Sequence, residues 1–438
     1  MRIMIWIYLM RDLTKKRPPK TYWFINCFSL ALLILGLLNQ QANALTLQEV
    51  EEITAKNDYI SQSQLSRRDA LEESAVADGQ LPDPQLNVGL FNAPLDNFDL
   101  DREPNTQLRF GVSQSFPRGE TLKIRSQQTL WSGKEQDYRS QDQLAQSVRL
   151  ARENYLDIYY NVGAQEIIHE SHQYFAQLVD IAESFYSVGR VNQQDVLRAQ
   201  LELSRLEERV IIFEKNEELA RAQLSKWLDE RAYEVIDTEF PTLDKLEEQH
   251  TVVNQLIDHP RIKASDTVIS YFSEGVAIAE EQYKPGWSVG VEYRKRFGNN
   301  TDGSDRADQM TALVKVDLPI FTDKRQDRRL SSSQHQVMAA KDLRSDQLQV
   351  FKQSVFREFS TLVKFQEQSM LYDTRLTPDA NANASASLKA YQSGVTEFTT
   401  LARARITQLD VQLEALRVKV EAAKAHIRIL YLMEKADS

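Results

Sequence analysis

The feature that most constrains this chain is that it contains itself twice. Pro84-Gln85-Leu86-Asn87-Val88-Gly89-Leu90 matches Pro285-Gly286-Trp287-Ser288-Val289-Gly290-Val291 at an offset of 201. Pro117 with Lys123 matches Pro319 with Arg325 at 202. Tyr186-Ser187-Val188-Gly189 matches Tyr391-Gln392-Ser393-Gly394 at 205, and Arg198-Ala199 matches Arg403-Ala404 at the same offset. Three ordered blocks whose offset drifts by only four residues divide the chain into repeats at about 45–245 and 246–438. A repeat this long signals duplication with pseudosymmetry, not a solenoid of short stacking units.

Each repeat runs through the same order of patterns. A helical stretch (48–78; 259–283) precedes two strand-like runs. In the first repeat these are 85–91 and 107–115, with Leu108, Phe110 and Val112 on alternate positions. In the second they are 287–294 and 311–318, where Trp287, Val289, Val291 and Tyr293, then Ala312, Val314, Val316 and Leu318, keep period two. Polar, acidic or glycine-rich segments (92–105; 297–308) connect the paired strands. A very long helical stretch follows: 120–186 holds no proline, and its counterpart 322–391 holds Pro378, which predicts a kink. A glycine turn then leads to a return helix. There Leu203, Leu206, Val210, Phe213, Glu217, Ala220, Leu224 and Trp227 step by three and four. Leu409, Leu413, Leu416, Val420, Ala423, Ile427 and Leu430 do the same. Such heptad spacing commits a helix to a coiled-coil neighbour. Few turns are available in any case, with only 14 glycines and 12 prolines in 438 residues.

The N-terminus reads as an export address. Lys15, Lys16, Arg17 and Lys20 precede an apolar run of fifteen, 24–38, and Ala42-Asn43-Ala44 offers an A-x-A cleavage site. The run falls short of the ~20 residues a spanning helix needs. Residues 1–44 are therefore expected to be a signal peptide, with the mature chain starting at Leu45. Cys27, the single cysteine, lies in this leader, in a context unlike a lipobox. Removing the leader takes away six basic residues and Asp12, leaving 47 basic against 62 acidic residues, a net of −15 in place of −10. That balance argues against a nucleic-acid partner, which demands a basic surface.

No catalytic constellation stands out, and no enzyme activity or cofactor is expected. Among six histidines only His169 and His172 share a helix face, with no convincing third ligand. Outside the leader the methionines Met310, Met338, Met370 and Met433 are far apart, so no soft-ligand path for copper or silver exists. No metal site is predicted.

The strands are what a soluble helical bundle would not need. Four amphipathic strands of seven to ten residues suit a tilted membrane crossing. An open sheet edge cannot sit in lipid, and single-chain barrels begin at eight strands, so at least two chains must pool theirs. Trp287, Tyr293, Phe91 and Phe297 lie near strand ends, where aromatic girdles form at membrane interfaces. Alternatively, the same aromatics could pack a small soluble sandwich.

The export signal, the duplication, strand pair plus long helical hairpin, and the turns 186–199 and 391–404 together resemble the outer-membrane efflux protein family, the TolC-like channels. Leu81-Pro82-Asp83-Pro84 and Ser115-Phe116-Pro117-Arg118-Gly119 are similar to members that work beside metal-ion or drug pumps. The resemblance implies a mainly α fold with a small β part. Long coiled-coil hairpins would form a periplasmic α-barrel, and four strands per chain would enter a shared trimeric β-barrel in the outer membrane of a Gram-negative bacterium. It implies a homotrimer, contact with outer-membrane lipid, a periplasmic adaptor and an inner-membrane pump, with an RND-type pump favoured. The duct itself would be passive, its cargo metal ions or drugs.

The resemblance also assigns residues. Val188, Gly189, Arg190, Gly394, Val395 and Thr396 would be adaptor-docking turns at the periplasmic tip. Asp195 and Tyr391 match positions of the family's tip gate, but Thr396 and Thr400 stand where an arginine and an aspartate are usual, and Arg403 replaces another aspartate. The expected gate therefore pairs Asp195 or Glu397 with Arg403, beside Tyr391. Two alternatives stay open: a type I protein-secretion channel and, from another class, a periplasmic coiled-coil adaptor or scaffold.

Overall fold

A computed structural model describes residues 44–436. The predicted leader therefore lies outside the described residues, apart from Ala44. The chain divides into two units. In the small one, residues 44–46 meet Glu234–Glu239. Leu45 pairs in parallel with Ile236, donating its N–H to the Val235 carbonyl (2.7 Å) and accepting from the Asp237 N–H (3.1 Å).

Among the described residues, the large unit holds every helix and strand. It opens with α1 (Leu47–Lys56) and α2 (Tyr59–Asp78). The sequence reading expected one helix here. The break falls at Asn57-Asp58, because the Asp58 carboxylate caps α2 by accepting from the Ile60 N–H (3.2 Å) and the Asn57 amide donates to the Trp227 carbonyl (2.7 Å). Strands β1 (Gln85–Phe91) and β2 (Gln107–Phe116) lead into α3 (Thr121–Ser187), 67 residues without interruption and ~100 Å long at 1.5 Å per residue. Helix α4 (Gln193–Leu228) returns along it and ends in a short 3₁₀ turn.

The second series repeats this order: α5 (Gln249–Gln255), α6 (Pro260–Glu281), β3 (Gly286–Arg296), β4 (Gln309–Asp317), α7 (Gln326–Leu371), α8 (Thr377–Gln392) and α9 (Phe398–Leu432). A π turn over Tyr372–Leu376 links α7 to α8, so the three together match the 67 residues of α3. Pro378 sits in the first turn of α8. The irregularity predicted at that proline is thus taken up as a widened turn just ahead of the ring, and the helix continues past it.

Helix α3 is the spine of this unit, touching α1, α2, α4, α6 and α9 along its length. The heptad seams are buried where expected: Leu206, Ala220, Leu224 and Trp227 on α4, and Leu409, Leu413, Val420, Ala423 and Ile427 on α9. Helix α9 buries a second face as well. Ile427 packs with Leu156 of α3, whereas Ala425 and Ile429 pack with Leu362 of α7. Each such aliphatic side chain contributes about 1.5–3 kcal/mol on full burial.

At the start of α6 a fully buried histidine does the capping. His259 Nδ1 accepts from the Arg261 N–H (3.1 Å), which fixes the proton on Nε2, donated to the Tyr431 carbonyl (3.1 Å). Phe351 and Tyr431 contact its ring edge-on at 4.8 and 5.0 Å. Burial lowers the His259 pKa, and nearby Asp142 opposes that shift only in part. The imidazole is neutral, with both nitrogens used.

Candidate functional site

The four strands form one antiparallel sheet in the order β1-β2-β3-β4. The central β2–β3 ladder joins the two repeats, with Phe110 opposite Tyr293 and Val112 opposite Val291. Among the described residues, β1 and β4 pair on one side only and leave open edges.

Register converts the period-two pattern into two unlike faces, because directly opposed residues share a face. One face carries Leu86, Val88 and Leu90; Leu108, Phe110 and Val112; Trp287, Val289, Val291 and Tyr293; then Met310, Ala312, Val314 and Val316. Most of these large apolar side chains are exposed. Among the described residues no helix covers them, and a contiguous apolar surface of this extent marks a face built to meet something other than water. At its helical end Phe116 stacks on Trp287, centroids 4.1 Å apart. Its one charged side chain is Lys295, beside the loops, paired with Asp308 (3.3 Å). The opposite face carries Asn87, Arg109, Ser113, Ser288, Glu292, Arg294, Arg296, Thr311, Lys315 and Asp317 among its residues. Phe91 departs from the girdle expectation. It projects on this polar face beneath the Arg109 guanidinium, 3.8 Å from the ring centroid, whereas Trp287 and Tyr293 lie on the apolar one.

The loops at the far end brace each other. Arg306 Nη1 donates to the carbonyls of Asp101 (3.1 Å), Glu103 (3.2 Å) and Phe297 (2.9 Å), tying the β3–β4 loop to the β1–β2 loop. Gly298 permits this approach, since a Cβ there would come within 2.8 Å of the Asp101 carbonyl.

The two helical turns are copies in geometry as well as in sequence. In α3–α4 the Gly189 N–H donates to Tyr186 O (2.9 Å) and the Arg190 N–H to Phe185 O (2.8 Å). In α8–α9 the Gly394 N–H donates to Tyr391 O (3.0 Å) and the Val395 N–H to Ala390 O (2.9 Å). Both glycines adopt left-handed φ values, +73° and +75°, and so close a Schellman-type helix end. Asn192 and Glu397 then start the return helices from extended backbone. Val188 and Val395 are 66% and 80% exposed, and Gly189, Arg190 and Gly394 are exposed with them.

The predicted gate residues do not all meet. Tyr391 is 3% exposed, held between Phe185 (5.5 Å) and Phe398 (5.9 Å), and its hydroxyl has no hydrogen-bond partner. Burial raises its pKa, and Asp195 adds to the rise, so these two are neighbours electrostatically. Glu397 and Arg403 are exposed. Among the described residues the Glu397 carboxylate accepts only from the Thr399 hydroxyl (3.4 Å), and no ion pair links Arg403 to Asp195 or to Glu397. Sequence reasoning missed the aromatic clamp on Tyr391, for which the paired Phe185 and Phe398 near the two glycines were the available signal. It also missed the charges of the polar sheet face, which the same alternation encodes. His169 and His172 remain a bare helical pair. Among the described residues no group of three His, Cys, Asp or Glu side chains is arranged to hold a metal, and no helix is long and apolar enough to cross a membrane.

No protein-family model matches the chain, and no curated protein matches it in sequence. Solved structures do match. The outer-membrane channel OprN superposes with a TM-score of 0.73 at 16% identity, covering 88% of this chain and 89% of that one. The Vibrio cholerae outer membrane protein VceC gives 0.73 at 14% identity, over 89% and 96%. The Campylobacter jejuni outer membrane channel CmeC gives 0.72 at 11% identity, over 88% and 85%. The fold is therefore one that the chain shares with these outer-membrane proteins, long helical hairpins with a four-strand sheet segment.

Proposed function

We propose that this chain is the outer-membrane exit duct of a tripartite efflux system. The observation that carries the reading is the sheet: one face apolar but for Gln114 and Lys295 and uncovered among the described residues, the other mostly polar, both edges open. In lipid such edges would each leave a row of backbone groups unpaired at several kcal/mol apiece, so the sheet must be completed by copies of itself. Three chains supply twelve strands, and the two repeats, 45–245 and 246–438, each give one strand pair and one helical hairpin. The apolar face then meets outer-membrane lipid and the polar face lines the bore. The hairpins enter the periplasm, where the turns at Val188, Gly189 and Arg190 and at Gly394, Val395 and Thr396 offer exposed apolar and backbone groups to a periplasmic adaptor. An inner-membrane pump, of RND type by the Pro84 and Pro117 blocks, supplies the energy, and metal ions or drugs are the cargo. Asp195, Tyr391, Glu397 and Arg403 lie within two turns of the tip, and we assign them to its resting closure. Links between chains would involve Arg403 and Glu397, neither of which has an ion-pair partner among the described residues, while Tyr391 acts from within the core.

The test is expression of the full-length gene in a Gram-negative host. Expected results are recovery in the outer-membrane fraction, a heat-sensitive trimer band on gels, and discrete conductance steps in planar bilayers. Recovery as a periplasmic soluble protein would refute the reading in favour of a coiled-coil scaffold.

A further inference from the structure

The polar face of the sheet is basic, although the chain as a whole is acidic. Its strand positions hold four basic residues, Arg109, Arg294, Arg296 and Lys315, against two acids, Glu292 and Asp317. Arg109 lies directly opposite Arg294, and Glu292 sits between them, 2.6 Å from Arg294 and 3.9 Å from Arg109. That acid is therefore already engaged. Where the sheet meets the helices, a cavity of about 270 Å³ opens on this face. Arg118, Arg125 and Lys315 line it with the hydroxyls of Ser115 and Ser288, and Asp317 is its one acid. Arg118 spends one N–H on the Gln282 carbonyl (2.6 Å), passing over Gly286, where a Cβ would come within 3.2 Å of its stem. Arg125 and Lys315 are exposed and have no ion-pair partner among the described residues.

We propose that this wall makes the strand-borne part of the duct a selector for anions, with the basic collar at Arg118, Arg125 and Lys315 as a transient site for phosphate- or carboxylate-bearing solutes. The inference rests on the duct reading above, which puts this face inside. Closing the sheet into a barrel of three chains gathers a surplus of six positive strand charges behind a low-dielectric wall, and such walls focus the field on the bore. Rings of basic side chains select anions in pores, so of the two cargo classes proposed above this wall favours anionic drugs over free metal cations. The apolar face is on the other side of the sheet, so the ligand is a solute in transit and not a lipid headgroup.

The experiment uses purified trimers in bilayers of zwitterionic lipid, with a KCl gradient and with tripolyphosphate added on the loop side. The wild type should pass chloride more readily than potassium and be blocked by tripolyphosphate. R125Q with K315Q should lower the chloride-to-potassium ratio about twofold or more, the factor one charge exerts at roughly 8 Å in water, and should weaken the block. T311K, which adds a charge to the same face, should move both in the opposite direction, so that poor assembly of the first variant leaves the proposal open to refutation. Conducting trimers whose ratio and block are the same in all three forms would overturn it, as would block that appears only in bilayers containing anionic lipid. Assembled trimers that pass no current would instead strike the duct reading itself.

Discussion

Leu313 and Val314 are consecutive residues near the middle of β4, both aliphatic and nearly equal in exposure at 63% and 65%. They differ in face alone: Val314 lies opposite Val289 in the apolar array, and Leu313 opposite Gly290 in the polar one. If the sheet were a soluble surface, arginine at either site would be an exposed substitution worth about ±0.5 kcal/mol. If the apolar face meets lipid, V314R places a charge near the membrane midplane at about 2–4 kcal/mol per chain. Three symmetric copies raise this to roughly 6–12 kcal/mol per trimer, comparable with the ~5–15 kcal/mol that holds a folded domain together. L313R would point its guanidinium into the water of the bore and cost close to nothing. The amount of heat-sensitive trimer in the outer-membrane fraction, and the urea midpoint after refolding into lipid vesicles, read the difference. Strong loss for V314R beside near-normal L313R is the expected outcome. Equal loss, equal tolerance, or damage confined to L313R would refute the assignment of faces and with it the membrane reading of the sheet.

Two further predictions concern buried groups. The depressed pKa of His259 means that the native state favours the neutral ring, so its stabilising contribution is complete above the ordinary value near 6.5 and is lost as pH falls below it. H259N, which keeps a capping acceptor without a titrating ring, should flatten the decline in urea midpoint between pH 7.5 and 5.5; an unchanged slope would show that His259 is not its source. Tyr391 presents a hydroxyl with no partner inside the Phe185–Phe398 clamp. Y391F should therefore be neutral or stabilising by about 1 kcal/mol, and Y391A should cost ~3–5 kcal/mol in urea denaturation. Raised conductance in Y391F at unchanged stability would place the hydroxyl itself in the closure.

Strands and turns were legible in the sequence because each is written in local code. Alternation at Trp287, Val289, Val291 and Tyr293 fixes both strand and face, and the glycine after Tyr391 demands a left-handed residue wherever the helix must reverse. Pairing of β2 with β3 was not legible. Its partners, such as Phe110 and Tyr293, stand far apart in the chain, and nothing local distinguishes that ladder from one with a separate hairpin. The helix break at Asn57-Asp58 was overlooked because its partner, the Trp227 carbonyl, lies in a return helix 170 residues later. The second buried face of α9 went unseen for a related reason: a heptad names one seam, and the extra apolar residues read as ordinary helix composition. The candidate gate residues lie beside the two helical turns, but burial of Tyr391 depends on Phe185 from the other repeat.

Duplication has a consequence for charge that an exact repeat would not allow. Each repeat contributes a hairpin, and the β2–β3 ladder fuses the two into one four-strand sheet, so the twelve-strand barrel proposed above would take three chains where single repeats would take six. The fused copies have since diverged. β1 has no charged side chain on the polar face, while its counterpart β3 places Glu292, Arg294 and Arg296 there. At the tips Asp195 of the first repeat corresponds to Thr400 of the second, yet Arg198 and Arg403 are kept in both. In a trimer, residues shared by both repeats form near-sixfold rings, and residues found in one form threefold rings separated by neutral gaps. The basic wall of the sheet is of the second kind. Its charge is concentrated on β3 and β4 and thins toward β1, so an anion following it would track three stripes along the bore, not a uniform lining.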